Sequence, residues 1–333
     1  MQQKCACFIY GNQKHYLDHL APLASLLKIP LIVTDLEVEA LAKKYYPGLI
    51  LRYYPPVEMA YRMTLEFDVI LSTLPKPLFD TLFYIASALE RKTLIHIWCP
   101  HGNSDKGYRS PFMEALSNET YLCVYGNKMV NFLKEKGAFN QLKKLFYLGN
   151  YRLTYYKNHL EYFQKEAPFK KRGPTLLYAP TWNDSEGSSS LENAYSSLIE
   201  GVPDHWTVIV KPHPLSHLPY EPQRKNVILL KEYPLIYPLL ANVDVYLGDM
   251  SSIGYDALSF RLPLFFYNPQ GRDPSSDPGL YLTQCGTIVR ESEDLFERIE
   301  NEAQEPFVKI QQEVYDEVFT KEITIDEIVT FNF

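Results

Sequence analysis

A histidine follows an apolar run in the first third of the chain, where the segment CPHGNSDKG comes directly after residues 93–98. His101, Gly102, Asp105 and Lys106 lie close together there. An imidazole with an ordinary pKa near neutrality, set at the end of a buried strand, is a candidate general base. Taken alone, the same segment fits an ordinary polar turn equally well.

A second histidine follows the run TVIV, in the segment KPHP that contains Lys211, His213 and Pro214. Two prolines stiffen the backbone around one ammonium and one imidazole, so the loop would hold a phosphate oxygen with little loss of entropy. The alternative is a proline turn that packs His213, with Lys211 in solvent.

Paired serines follow a third apolar run, in VYLGDMSSIGYDAL, where Asp249 precedes Ser251 and Ser252. Serines at the start of a helix cap it, and the same hydroxyls and helix amides can bind an anion. Asp256, one turn inside, is suited to accept hydrogen bonds from ribose hydroxyls or to help the helix begin.

Two other strand ends carry polar side chains. Thr181 and Trp182 follow the run LLYAP, ahead of a serine-rich stretch with the composition of a linker, while Gly11, Asn12 and His15 follow the first run, CACFIY. The chain has neither a G-x-G-x-x-G fingerprint nor a P-loop. Neither a dinucleotide oxidoreductase nor a P-loop kinase is therefore supported.

Short apolar runs alternate with segments of helical length from residue 5 to 150 and again from 174 to 269. Such alternation predicts parallel sheets covered on both faces, and hence two doubly wound α/β domains. Ligands of open α/β sheets bind beyond the carboxyl ends of the strands, which is where all five loops above lie.

The predicted boundaries follow from changes in this pattern. We expect an N-terminal domain over residues 1–155 and a second domain over 174–305. The charged and aromatic segment 156–173 is interpreted as the connection between them. Residues 306–333 are interpreted as a helical tail, with packing back on the first domain as one option.

Composition excludes several classes of protein. The 33 basic and 40 acidic residues give a net charge of -7, which argues against a nucleic-acid binder but allows a small anionic ligand. The five cysteines are interpreted as reduced core residues, and no metal site is predicted. No signal peptide or membrane span is evident, so we expect a cytoplasmic protein, with peripheral membrane association left open.

The segments HGNSDKG, YAPTW, KPHP and GDMSSIGYD, in this order and spacing, resemble the bacterial CDP-glycerol glycerophosphotransferase family, which includes teichoic-acid primases and polymerases. The resemblance covers about residues 93–268. It implies a GT-B fold, in which two Rossmann-like domains face each other across a cleft.

The resemblance also implies roles for individual residues. His101 would be the base, while His213 with Pro214, and Ser251 with Ser252, would hold the donor pyrophosphate. From the loops themselves we add Lys211, Asp249, Asp256, Thr181 and Trp182 to the donor side. We add Gly102, Asp105, Lys106, Gly11, Asn12 and His15 to the acceptor side.

The predicted reaction transfers glycerol or ribitol phosphate from a CDP-linked donor to a hydroxyl of a polyol-phosphate, lipid-linked or saccharide acceptor. It releases CMP and requires no cofactor. One alternative is a GT-B glycosyltransferase that uses a CMP- or UDP-sugar, and another is a non-catalytic nucleotide-binding assembly protein. Asn183 and Asp184 stand where family members often have an arginine, and Asn103–Lys106 depart from the commoner H-G-x-P-x-K. The missing arginine favours the non-catalytic alternative.

Overall fold

Strands and helices alternate along the chain in the computed structural model, which describes residues 3–109, 111, 113–290, 295–302 and 307–331. The strands are Cys5–Ile9 (β1), Leu31–Val33 (β2), Leu51–Tyr53 (β3), Val69–Ser72 (β4), Ile95–Trp98 (β5), Tyr121–Val124 (β6), Lys144–Tyr147 (β7), Thr175–Tyr178 (β8), Thr207–Val210 (β9), Val227–Leu229 (β10), Val245–Gly248 (β11), Leu264–Tyr267 (β12) and Thr287–Val289 (β13).

The helices lie between these strands and after the last of them. They are Leu17–Leu27 (α1), Leu36–Tyr45 (α2), Pro56–Glu66 (α3), Asp80–Glu90 (α4), Asn127–Glu135 (α5), Tyr151–Asn158 (α6), Leu160–Lys165 (α7), Leu191–Glu200 (α8), Tyr237–Leu240 (α9), Ile253–Ala257 (α10), Leu295–Asn301 (α11), Val308–Val318 (α12) and Glu327–Thr330 (α13). Within the described ranges, no helix has the length and apolar character needed to cross a bilayer.

The chain folds into two compact units, and neither is one continuous segment. Unit 1 is formed by the described residues within Met1–His101, Phe112–Tyr162 and Glu317–Phe333. Unit 2 is formed by those within Gly102–Pro111 and Phe163–Asp316. The loop that follows β5 therefore leaves unit 1 directly after His101 and joins unit 2.

Unit 1 contains a seven-stranded sheet of order β3-β2-β1-β4-β5-β6-β7. Its strand pairs are parallel, with Cys7 opposite Leu31 of β2 on one side and Leu71 of β4 on the other. Every residue of β1 and β4 is buried, because helices cover both faces of the sheet. The order reverses between β1 and β4, so a ligand site is expected at the carboxyl ends of these strands.

Unit 2 repeats this plan with a six-stranded sheet of order β10-β9-β8-β11-β12-β13. The pairs are again parallel, and Leu177 of β8 lies opposite Tyr246 of β11. Strands β8, β9, β11 and β12 are buried throughout. The reversal of strand order falls between β8 and β11. Strand β13 was not among the strands predicted from the sequence.

Helix α6 lies across the predicted end of the first domain at residue 155, and helix α7 lies inside the predicted connection of residues 156–173. The hydroxyl of Tyr151 donates to the carbonyl of His19 over 3.0 Å, and Tyr155 donates to that of Pro47 over 3.0 Å. Arg152 pairs with Asp18 at 2.9 Å. The side chains of α6 thus pack this helix against the N-terminal part of unit 1.

The final residues of the described chain pack on unit 1. Thr324 donates its backbone N–H to the carbonyl of Tyr147 over 2.8 Å, and its hydroxyl accepts from the N–H of Tyr147 over 2.8 Å. The side chain of Phe331 contacts Phe146 edge-on. The predicted boundary between residues 305 and 306 lies outside the described residues.

Candidate functional site

The loops that follow β8 and β11 are joined by one carboxylate at the reversal point of the second sheet. Oδ1 of Asp249 accepts from the N–H of Thr181 over 2.9 Å, and Oδ2 accepts from the N–H and hydroxyl of Ser190 over 2.8 and 2.9 Å. Burial raises the pKa of Asp249 to about 6, although these hydrogen bonds oppose the shift. Asp249, predicted to bind the donor, anchors the loop that carries Thr181 and Trp182.

The paired serines lie at the start of α10, as the sequence predicted. The side chain of Ser252 makes no capping hydrogen bond, whereas the Ser251 hydroxyl accepts from the N–H of Ile253 over 3.4 Å. Capping alone therefore does not account for Ser252. Asp256 is only 3% exposed and accepts from the Tyr237 hydroxyl over 3.2 Å, so it has a structural contact in the core.

The KPHP loop lies after β9, the neighbour of β8. Lys211 is buried, and its N–H donates to the carbonyl of Tyr178 over 2.8 Å. Nδ1 of His213 accepts from the N–H of Leu215 over 3.2 Å, which leaves Nε2 as the protonated nitrogen of the neutral ring. The rings of His213 and Trp182 are 6.3 Å apart, so these two predicted donor loops meet. Pro214 is exposed.

Gly102, Asp105 and Lys106, which were predicted on the acceptor side, belong to unit 2 by their contacts, and their role toward the acceptor stays a prediction. Gly102 has a φ of +132°, and a Cβ added to it would lie 2.8 Å from both Cβ and Oγ of Ser252. There is no room for a side chain at this position. The backbone of Gly102 also has a conformation that only glycine adopts easily. The loop therefore approaches the start of α10 through Gly102.

Lys106 fixes the same loop to the loop after β8. Its Nζ is 2.7 Å from Oδ2 of Asp184 and donates to the hydroxyl of Thr181. It also lies 5.5 Å from the centre of the Trp182 ring, within range of a cation–π interaction. Burial raises the pKa of Asp184, but the hydrogen bonds from Lys106 and Ser188 hold it below its usual value.

Asp105 has two hydrogen-bond contacts within unit 2. Its Oδ1 accepts from the Tyr255 hydroxyl over 2.5 Å, and its Oδ2 accepts from the N–H of Leu282 over 3.2 Å. These bonds hold the carboxylate against α10 and the segment after β12. The hypothesis that Asp105 orients His101 stays a prediction.

Sequence reasoning missed a further charged group in unit 2. Asp277 receives two hydrogen bonds from Arg272, at 2.6 and 2.7 Å, and pairs with Arg109 at 2.6 Å. The N–H groups of Gly107 and Arg109 donate to Glu186 over 2.9 and 3.1 Å. Arg272 follows β12, so the tendency of ligands to bind at the carboxyl ends of strands could have identified it from the sequence. Glu186 was missed because it lies in a stretch with the composition of a linker.

Unit 1 has an aromatic cluster at the reversal point of its own sheet. The His101 ring is 5.1 Å from Tyr16, 6.2 Å from His15 and 6.4 Å from His19. Burial lowers the pKa of both His15 and His101 to about 4, and His15 adds to the effect on His101. Both imidazoles are therefore neutral at pH 7 and able to accept a proton.

One ring nitrogen of His101 is enclosed. Nδ1 is buried and has no hydrogen-bond partner among the described residues, while the residue as a whole is partly exposed. Gly11 and Asn12, from the same predicted acceptor group, contact Thr34 and Glu37, at 2.8 and 3.1 Å.

Two doubly wound sheets in one chain, each with polar loops at its reversal point, define the GT-B class of transferases, which confirms the predicted fold class. The sequence profile of the CDP-glycerol:poly(glycerophosphate) glycerophosphotransferase family matches residues 99–321. The chain belongs to this family, and it is a transferase that uses CDP-glycerol. Comparison with curated proteins finds no matching sequence.

Solved structures share the fold at low sequence identity. A variant of the wall teichoic acid polymerase TagF is 16% identical with a TM-score of 0.70, over 98% of this chain and 87% of that one. The structure of a TagF variant soaked with CDPG for 30 minutes has a TM-score of 0.63 and is 16% identical, over 98% of this chain and 86% of that one. The S. aureus MnaA–UDP structure has a TM-score of 0.60 and is 12% identical, over 98% of this chain and 95% of that one.

Proposed function

We propose that unit 2 binds the CDP-linked donor and that His101 of unit 1 activates the acceptor hydroxyl. Nε2 of His101 takes the hydroxyl proton as the oxygen attacks the phosphorus that bears the polyol. A bond forms between this oxygen and phosphorus, the bond from phosphorus to the bridging oxygen breaks, and CMP leaves with the electron pair. The acceptor gains one polyol phosphate, and no metal or cofactor takes part.

The donor half of this proposal is supported chiefly by the loops around Asp249. A single buried carboxylate holds the loop of Thr181 and Trp182 beside the loop of Ser251 and Ser252. Amide and hydroxyl donors at a strand end stabilise phosphate oxygens, and Lys211 and His213 would add a cation and an N–H. These groups would stabilise the charge that builds on the departing CMP.

The acceptor half is supported by the ionisation state of His101. A pKa of about 4 makes the ring fully available as a base at neutral pH, although a weaker one than an exposed imidazole. Acceptor binding that excludes water around the attacking hydroxyl would offset this weakness, since positioning contributes strongly to such reactions.

The place of the reaction is also part of this proposal. The likeness to the wall teichoic acid polymerase TagF supports a role in the synthesis of a wall polymer. We infer that the acceptor is held at the inner face of the membrane. The protein would then be cytoplasmic and attached to the membrane surface. Fractionation of cells that express the tagged protein tests this, and recovery of all the protein outside the cytoplasm and membrane fractions would refute it.

A donor screen tests the function directly. The protein is incubated with CDP-glycerol, CDP-ribitol, CMP-sialic acid or a UDP-sugar plus an acceptor, and CMP or UDP release is measured by chromatography. We expect CMP only from the CDP-polyols. Ser252→Ala and His213→Ala should weaken CDP-glycerol binding by calorimetry, while the control His217→Ala, at an exposed position of the same loop, should not. Release from sugar nucleotides alone would overturn the proposal.

A further inference from the structure

The aromatic cluster of unit 1 offers hydrogen-bonding groups from two loops. His15 and Tyr16 come from the segment after β1, and His101 comes from the end of the segment after β5. The rings of His15 and Tyr16 are 4.2 Å apart, and Tyr16 lies 5.1 Å from His101. Tyr16 also interacts with Thr73, which follows β4. The segments after β1 and β5 therefore present two imidazoles and a phenol together.

This cluster is uncharged at neutral pH, because burial lowers the pKa of both imidazoles and raises that of Tyr16. Lys14, which precedes His15 in the chain, pairs with Glu37 at 2.8 Å, and Arg152 pairs with Asp18 at 2.9 Å. An edge of neutral donors and acceptors suits hydroxyl groups, whereas a phosphate would call for a cation.

The spacing suits two hydroxyl groups rather than one. The rings of His15 and His101 are 6.2 Å apart, so each could reach, by a hydrogen bond of about 2.8 Å, a different oxygen of one small polyol. Neighbouring hydroxyls of a 1,2-diol are the simplest pair that fits between them.

We propose that the His15–Tyr16–His101 cluster binds a neutral 1,2-diol at the end of the acceptor, with His15 hydrogen-bonded to the hydroxyl adjacent to the attacking one. His101 then takes the proton of the attacking hydroxyl, as in the proposed function on which this inference rests. His15 is the residue that selects a polyol terminus over an acceptor with a single hydroxyl. It takes no proton itself.

Two acceptors that differ by one hydroxyl test this selection. The hexyl phosphodiester of glycerol ends in a 1,2-diol, and the hexyl phosphodiester of 1,3-propanediol ends in one primary hydroxyl. With CDP-glycerol as donor, wild-type kcat/KM should be about 10- to 100-fold higher for the diol, since a site built for a hydroxyl rejects an analogue that lacks it.

Substitution of His15 should remove the preference selectively. His15→Ala should lower kcat/KM for the diol by about 10- to 100-fold and leave the single-hydroxyl acceptor within about threefold of wild type. His15→Gln, whose amide can still donate, should recover part of the preference and guards against a folding defect. His205→Gln is the matched control, since that imidazole is exposed and pairs with Glu300 in unit 2.

The outcomes separate this inference from the proposed function. The proposed selection by His15 would be overturned if His15→Ala lowered kcat/KM equally for both acceptors. It would also be overturned if the wild-type enzyme used both acceptors equally or failed to use the diol. If His101→Ala lost activity but still bound the donor, the proposed role of His101 as the base would still be supported. Wild-type turnover in His101→Ala would instead refute the base, whatever His15 does.

Discussion

Lys106 and Asp184 form an ion pair inside unit 2, with Nζ and Oδ2 2.7 Å apart and both side chains less than a tenth exposed. In the sequence these residues stood in separate motifs, one assigned to the acceptor and the other marking a missing arginine. Their pairing gives Asp184 a definite role, which is to hold the loop of residues 102–111 beside Thr181 and Trp182.

Lys106→Met should destabilise the protein by about 3 to 5 kcal/mol, because it leaves a buried carboxylate without its cation. The double change Lys106→Met with Asp184→Leu should cost less than the single change, since no unpaired charge remains. Urea unfolding followed by circular dichroism measures both. Lys231→Met, which breaks the exposed pair with Glu221, is the control and should cost about 0 to 1 kcal/mol. Equal costs for Lys106→Met and Lys231→Met would contradict the prediction.

Gly102→Ala should lower both stability and donor affinity, because the new methyl group would collide with Ser252 on a backbone of positive φ. Gly271→Ala is the matched control, since Gly271 also has a positive φ but nothing lies within 4 Å of an added Cβ. Thermal melting with and without CDP-glycerol distinguishes the two. A donor-induced shift that is unchanged in Gly102→Ala would argue against close approach to the donor site.

The pH dependence of the reaction should reflect the lowered pKa of His101. The imidazole is deprotonated above its pKa of about 4. At saturating CDP-glycerol, which separates the profile from any effect on donor binding of Asp249 with its pKa of about 6, kcat/KM for the acceptor should stay nearly level from pH 8 down to about pH 5.5 and fall only below that. Initial rates in constant-ionic-strength buffers measure the profile. An acid limb centred near 6.5, the ordinary value for histidine, would show that the ring is solvated in the working enzyme.

Folding stability should depend on the same groups. His15 and His101 have pKa values of about 4 when folded and near 6.5 when unfolded, so the unfolded chain binds more protons between these values. Stability from their neutral state is full above pH 6.5 and is lost as the pH falls toward 4. The variant His15→Gln/His101→Gln should lose less stability between pH 7 and pH 5 than wild type does. A slope equal to that of wild type in urea titrations would refute this.

Much of the fold followed from local pattern. Consecutive apolar residues in β1, β4, β8 and β11 predicted buried parallel strands. The tendency of ligands to bind at the carboxyl ends of such strands predicted His101, Lys211 and the paired serines as site residues from the sequence alone. Local pattern worked because strand burial and helix starts depend on neighbours in the sequence.

What the sequence did not predict depends on distant pairing. Asp184 meets Lys106, and Asp277 meets Arg109, only once the sheet is assembled. The same limit applies to the loop of residues 102–111, because nothing in its composition says which unit its side chains will contact. A single sequence carries the residue types but not their partners.

The division of the chain has a consequence for building hybrid enzymes. A crossover placed between residues 162 and 163 would join a foreign unit 2 to a loop that was matched to the original one. The ion pairs of Lys106 with Asp184 and of Arg109 with Asp277 would then be lost unless the loop after His101 were transferred together with its partners. Natural recombination is subject to the same constraint. The loop after His101 has to be inherited together with unit 2, although most of unit 2 is encoded downstream of the loop.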